Sequence, residues 1–298
     1  MLRKEYRRKF AIRLFGIICL SMLFNGCSEE QKEEKEELEK TPSTNIIKVD
    51  NALFSIPSPM QTSILIKKVG ANYRKELTNS VSNNSKYASN FKKALNLGIY
   101  GADLGYVTIY DQSQDAVAYL GVITKISNDL GVSGAFDQAL INRFQKNMGN
   151  KDSLMGMVSL SFRAGNAYLQ TNERKDVAAL VIAGGYIESL FLTVSLANEI
   201  KNSEIISRVG EQKSSLDNLI KLLNPYYQQA EYTEFIDQLI DLAYEFDAIE
   251  TIYKYVPPST DEASKTTYIN SSSQVIIQNE TLTTITQKVK NLRNQIVG

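Results

Sequence analysis

The stretch from Val177 to Glu199 reads VAALVIAGGYIESLFLTVSLANE. Its apolar residues fall on nearly every side of a 3.6-residue helix. That pattern predicts a helix at the centre of a fold rather than one lying on its surface. Two features break the run. Gly184-Gly185 sits in mid-helix, where each glycine costs about 1 kcal/mol relative to alanine, so the pair implies a closely packed neighbour. Glu188 is the only acid between Asp176 and Glu199. A carboxylate in such surroundings is costly to bury unless it is paired or hydrogen-bonded. Arg163 is a candidate partner for it, and a structural ion pair is the plainer reading.

A second glycine-rich stretch lies upstream. Between Asn96 and Asp115 the chain combines Gly98, Gly101 and Gly105 with Tyr100, Tyr106, Tyr110, Asp103, Asp111 and Asp115. Gly101 and Gly105 fall four apart, on one helix face, and predict close helix–helix approach. If the two glycine-rich helices pack together, Asp103 or Tyr106 meets Glu188 or Tyr186. The expected candidate ligand-contacting set is therefore Asp103, Tyr106, Arg163, Tyr186 and Glu188. The expected close-packing set is Gly98, Gly101, Gly105, Gly184 and Gly185.

Outward from these two stretches, helical periodicity continues. Ser58-Pro59 opens a helix with proline near its first position. Asn79 to Ser85 is a polar break. Asp111 is a candidate cap for a helix with the stripe Val117, Leu120, Ile123 and Leu130, closed by Gly131 to Gly134. Shorter patterns follow around Phe144 and from Leu154 to Phe162. Leu216 to Leu223 stops at Asn224-Pro225, and Phe235 to Tyr253 stops at Pro257-Pro258. The polar stretch Ser259 to Ser273 leads to Val275-Ile276-Ile277, an extended piece or short strand. Leu282, Ile285, Val289, Leu292 and Ile296 form a last amphipathic helix. Eight or nine helices with short links predict an all-α fold, an irregular bundle or a stack of antiparallel hairpins. No fixed repeat period runs through them.

Composition removes several chemistries. The chain has 298 residues, no His, no Trp, and Cys only at 19 and 27. A His general base, a Ser-His-Asp triad and His-ligated zinc are excluded. So are a CxxC site and a disulfide framework. No cofactor and no metal site is expected. Asp237, Asp241, Glu245, Asp247 and Glu250 make an acidic stripe of the oxygen type that Ca²⁺ prefers, without an EF-hand loop pattern. Paired carboxylates would serve a hydrolase, but no spacing singles out a pair, and a non-enzymatic protein is the expectation. Sixteen Tyr suit either sugar stacking or the cores and rims of helices.

The N-terminus reads as an address. Arg3, Lys4, Arg7, Arg8, Lys9 and Arg13 precede the apolar run from Leu14 to Phe24. The run is too short to span a bilayer, which takes about 20 residues, and suits a signal peptide. It ends in Phe24-Asn25-Gly26-Cys27, which resembles the lipobox of bacterial lipoproteins; Phe24 and Asn25 depart from its usual Leu and small residue. The resemblance implies cleavage before Cys27 and lipidation of that residue. Several acyl chains on one Cys anchor far more firmly than one. Removal of residues 1–26 leaves 27 basic and 32 acidic groups, a net charge of −5. With no basic tract, nucleic acid is not an expected partner.

Residues 28–40 hold seven Glu and one apolar residue, a composition that builds no core. Residues 27–50 are read as the lipidated Cys and an acidic tether, able to reach roughly 75 Å from residue 28 at about 3.3 Å per residue. Residues 51–298 are read as one all-α domain. Gln31-Lys32-Glu33-Glu34 resembles the signal that sends Bacteroidota lipoproteins to the outer face of the outer membrane. Asp152-Ser153-Leu154 resembles the short O-glycosylation motif of their secreted proteins. The blocks KALNLGIYGADLGYVTIYDQSQD (Lys93–Asp115) and NERKDVAALVIAGGYIESL (Asn172–Leu190) resemble segments of all-helical Bacteroidota lipoproteins that carry no assigned activity. The architectural analogy extends to imelysin-type lipoproteins, whose motif needs a His that this chain lacks. This resemblance implies a secreted, lipid-anchored, all-α protein. The lipobox and the acidic signal imply the outer membrane, with display at the cell surface as the expectation and a periplasm-facing protein as the alternative. The expectation is a membrane-anchored module that binds a protein or small polar ligand. The alternative is a structural or assembly component of an envelope complex, meeting other proteins through an apolar groove.

Overall fold

The structure is a computed structural model that describes residues 45–49, 52–135, 138–147, 150–171, 173–200 and 202–298. Cys27, the stretch read as a signal peptide and the Glu-rich segment lie outside the described residues. The compact unit begins at Thr44. Its first element is a hairpin of β1 (Asn45–Val49) and β2 (Ala52–Ile56), paired antiparallel from Asn45↔Ile56 to Val49↔Ala52. Strand β1 therefore occupies the end of the stretch read as tether. The alternation Leu53-Phe54-Ser55-Ile56 drives this: Phe54 and Ile56 turn into the core while Ser55 is exposed.

Helix α1 (Pro59–Lys68) follows, with Pro59 in its first turn. Ser58 caps it in a reciprocal capping box with Gln61. Next come α2 (Asn90–Ile109), α3 (Ser113–Asp129), α4 (Gln138–Lys146), α5 (Lys151–Thr171) and α6 (Lys175–Ile200). Then come α7 (Ser203–Gly210), α8 (Gln212–Leu223), α9 (Ala230–Asp247) and α10 (Asn279–Val297). The fold is all-α, as expected, with short antiparallel strands near both ends of the described chain. The hydrophobic stretch at 177–199 is the central helix: α1, α2, α5, α7, α8 and α10 all pack on α6. Residues Lys175–Ala197 are long and apolar enough to cross a membrane, but 89% of that window is buried inside the protein.

The α2–α6 crossing is set by glycine. A Cβ placed on Gly98 would lie 2.0 Å from the Val181 carbonyl oxygen, and one on Gly184 would lie 1.8 Å from that of Leu95. Backbone thus rests on backbone in both directions. Gly185 lies beside the same contact, where an added Cβ would be 3.5 Å from the Gly98 carbonyl oxygen. The close approach of α2 to α6 centres on Gly98. A Cβ on Gly105 would meet only Met60, at an ordinary 3.8 Å. Gly101 is buried on the same helix.

Other expectations are corrected. Asp111 does not cap α3: it takes a left-handed φ of 60°, and Gln112 stands at the N-cap without a side-chain bond. Residues 203–210 form a helix that periodicity did not reveal. Helix α9 ends at Asp247, so Ile249 and Tyr253 are not part of it. Instead β3 (Glu250–Lys254) pairs antiparallel with β6 (Ser272–Ile276), and β4 (Ser259–Asp261) with β5 (Thr266–Tyr268). The polar stretch is thus an antiparallel ribbon, and its β-branched and tyrosine residues explain why it extends.

Candidate functional site

Three of the five expected contact residues lie at the heart of the bundle. Asp103 on α2 and Glu188 on α6 are both 0% exposed, as is Tyr106. The expected open cleft is replaced by a closed cluster, because residues 69–89 fold across it as a strap. Glu188 has found a cation; the side chain of Arg163, the expected candidate, lies outside the described residues. The partner is Arg293 on α10. Its Nε donates to Glu188 Oε2 at 2.9 Å, and one terminal nitrogen donates to Oε1 at 3.0 Å. The guanidinium also stacks 4.8 Å from the Phe191 ring centre. Burial works against the charge on Arg293; the Glu188 carboxylate outweighs it, and the net shift raises its pKa. Tyr186 does not join the group. Its hydroxyl reaches the Gln212 carbonyl at 3.3 Å, at the α6–α8 contact.

Asp103 sits against this ion pair. Its Oδ2 accepts the Asn79 backbone N–H at 2.9 Å. Its Oδ1 is buried and meets no N–H or hydroxyl donor among the described residues, and Glu188 neighbours the carboxyl. Burial first, and the Glu188 charge second, hold the Asp103 carboxyl well above the usual carboxylate range. Both effects favour its neutral form under conditions in which an exposed Asp is ionised.

The strap explains why the polar groups are there. Residues 69–89 contain only 3₁₀ turns, at Lys75–Leu77 and Val81–Lys86. Much of their backbone would be left without partners where it crosses the core. Side chains from the bundle supply them. Tyr110 donates to the Ala71 carbonyl at 2.6 Å, and Tyr106 accepts from the Arg74 N–H at 3.0 Å. Arg293 donates to the Leu77 carbonyl, and Asp103 takes the Asn79 N–H. Tyr119 and Tyr100 donate to the carbonyls of Asn79 and Ser80. The Asn79 side chain donates to Tyr87 at 2.9 Å and Asn96 at 3.2 Å, and Asn96 itself donates to the Ile296 carbonyl near the end of α10. Burial raises the pKa of Tyr87, Tyr100, Tyr106 and Tyr119, so these phenols remain neutral donors and acceptors.

Reasoning from sequence missed Arg293 and Asn79. A signal for the first was present. Arg293 lies in register with the apolar stripe of α10, four residues after Val289, where a charge implies a buried partner. Asn79 sat inside a polar break and had no such signal. Sealed from water, the Asp103–Glu188 pair has no access for the water that glycoside hydrolysis consumes. The four stripe acids on α9 are spent on neighbours, and Glu250 falls on β3 instead: Lys288 bridges Asp241 and Glu245, Lys213 meets Asp247, and Tyr227 donates to Asp237. Among the described residues no group of three or more Cys, Asp or Glu is placed to hold a metal ion.

The exposed counterpart of this closed core is the ribbon of residues 250–276. Its root is seated: Val275 packs so tightly on Gly210, at the end of α7, that a Cβ there would meet its Cγ1 at 2.2 Å. Beside the root is a groove of about 490 Å³ lined by Lys213, Asp217, Thr251 and Ser273 among others. The far end is also well defined. Asp261 accepts from the Ala263 and Ser264 N–H groups and the Ser264 hydroxyl; the hydroxyl first, then the amides, hold its carboxyl below the usual range. Between root and tip, Ile252, Tyr253, Tyr255, Tyr268 and Ile269 stand in solvent; Ile269 is 83% exposed and Tyr255 66%. The two long edges differ. One carries Glu250, Lys254, Pro257, Pro258 and Asp261, whereas residues 266–278 hold neither charge nor proline. Neither edge pairs with a third strand among the described residues. Comparison with protein-family models, curated proteins and solved structures gives no match for this chain.

Proposed function

We propose that this protein is a docking component of a bacterial envelope assembly, held to the outer membrane by lipid on Cys27 and meeting a partner protein through the 250–276 ribbon. The single observation that carries the reading is the ribbon's exposed row of tyrosine and isoleucine side chains. A lone two-stranded ribbon is marginal in water. This one is pinned at its root and capped at its tip, yet leaves Ile252, Tyr253, Tyr255, Tyr268 and Ile269 exposed between them. Native proteins protect strand edges with charge and proline. Here one edge has both and the other has neither. The bare edge suits an extended segment of the partner, added as a third strand: main-chain bonds supply affinity and alternate side chains supply selectivity. The alternative of a small-ligand cleft at Asp103, Tyr106 and Glu188 is disfavoured by their burial. Helix α6 and its neighbours act as the rigid base that presents the ribbon.

The test places a photo-crosslinking residue at Tyr253 or Tyr268 in intact cells, with the exposed Gly121 on α3 as a control. Discrete cross-linked products from the ribbon positions and none from position 121 are the expected result. Equal or absent products at all three would overturn the docking reading. Two companion measurements address the anchor. Cys27→Ser abolishes labelling by an alkyne fatty acid, and proteinase added to intact cells removes the protein if it is displayed at the surface.

A further inference from the structure

We propose that the core holds one exchangeable proton between Asp103 and Glu188, and that its loss releases the 69–89 strap. The geometry is specific. Both carboxyls are fully buried, and both Glu188 oxygens are taken by Arg293. One Asp103 oxygen is taken by the Asn79 amide, and the other has no donor among the described residues. Two adjacent carboxylates with a single guanidinium cannot both stay charged in a dry core. A proton on Asp103 Oδ1, donated toward Glu188, satisfies the remaining oxygen and cancels the excess charge.

The proton matters because of what the cluster holds. Asp103 and Arg293 grip the strap at two points, the Asn79 amide and the Leu77 carbonyl. No other ionised group is among the principal charges acting on Asp103. From α6 it meets Glu188, and from α10 Arg293; the phenols of Tyr73 and Tyr87 on the strap, Tyr100 and Tyr106 on α2 and Tyr119 on α3 complete its surroundings. Those phenols are held neutral by burial. Opening the strap hydrates Asp103, returns it to ordinary acidity and releases the proton to water. The sign follows. The closed form binds one more proton than the open form, so closure is favoured at low pH and weakens as pH rises toward the closed-state pKa. For one proton, the opening constant grows about tenfold per pH unit within that window.

The experiment is hydrogen exchange of the full chain between about pH 5 and about pH 8, corrected for intrinsic exchange and read over residues 69–89. The comparison is Asp103→Asn, which keeps an oxygen for the Asn79 amide and offers Glu188 an N–H in place of the proton. The wild type should show opening that rises steeply with pH; Asp103→Asn should show an opening constant that does not change with pH. Parallel pH dependences in the two proteins would overturn the proposal. A second measurement needs no variant that might fail to fold. Infrared spectra of the wild type at neutral pH should contain a protonated-carboxyl band that disappears as the strap opens at higher pH. Absence of that band at neutral pH refutes the bound proton directly.

Discussion

Gly98→Ala adds one carbon where the helices have no room for it. The new Cβ would lie 2.0 Å from the Val181 carbonyl oxygen, against an ordinary contact beginning near 3.4 Å. Helices α2 and α6 must part by roughly 1.4 Å, and the obstacle is backbone, which cannot rotate away as a side chain can. A radial gap of about 0.5–1 Å already forfeits a quarter to a half of each dispersion contact. Overpacking costs about 1–3 kcal/mol; a backbone clash at the central crossing belongs at the top of that range. Alanine's better helix propensity returns about 1 kcal/mol. A net loss of about 2 kcal/mol is expected, read from urea unfolding of the full chain, with a fall in Tm of roughly 4–8 °C. Gly105→Ala is the internal control. Its Cβ meets Met60 at 3.8 Å, so it should be neutral or gain up to about 1 kcal/mol. Gly184→Ala strikes the same crossing from the other side. Once the helices have parted for one substitution the second costs less, and the double variant should lose less than the sum of the singles. If Gly98→Ala stays within about 0.5 kcal/mol of wild type, or Gly105→Ala costs as much, the crossing is not backbone-limited.

Two further substitutions probe the strap and its anchor. Arg293→Met leaves Glu188 and Asp103 buried without a cation and should cost about 3–5 kcal/mol; chemical denaturation checks it, and an unchanged midpoint would mean the acids are hydrated. Tyr119→Phe strips the donor from the Asn79 carbonyl, a buried bond of 3.0 Å, and should cost about 1–2 kcal/mol. Its effect should appear as faster hydrogen exchange within 69–89, with α8 and α9 unaffected; uniform acceleration across the chain would refute a local role.

Much of the helical plan was legible because it is written in local terms. The all-round apolarity of 177–199 placed α6 at the centre, and Gly184-Gly185 marked the face of closest approach. Ser58-Pro59 marked the start of α1, since capping needs only the residues within one turn. The meeting of Asp103 with Glu188 also followed, from glycine-rich helices seeking each other. What could not be read was non-local. Arg293 is 105 residues from Glu188, and spacing cannot rank it against Arg163 until α10 is placed. The ribbon was hidden for a different reason. Phe235 to Tyr253 keeps an apolar rhythm through Ile249, so periodicity runs past Asp247, where tertiary seating of Ile249 and Val275 on Gly210 ends the helix. Burial was the last unknown. Sequence shows that Asp103 and Tyr106 share a helix, but not that a strap of 3₁₀ turns covers them.

The triad also bears on how the chain matures. Its members sit at positions 103, 188 and 293, and Arg293 reaches back 216 residues to the Leu77 carbonyl. A growing chain acquires both acids well before their cation. Until the last turns of α10 arrive, the centre of the bundle must keep two carboxyls wet, so its interior cannot close early around a partial product. Chains broken off anywhere ahead of residue 293 should stay loose and open to proteolysis, because their core holds two acids and lacks the guanidinium that pairs with Glu188.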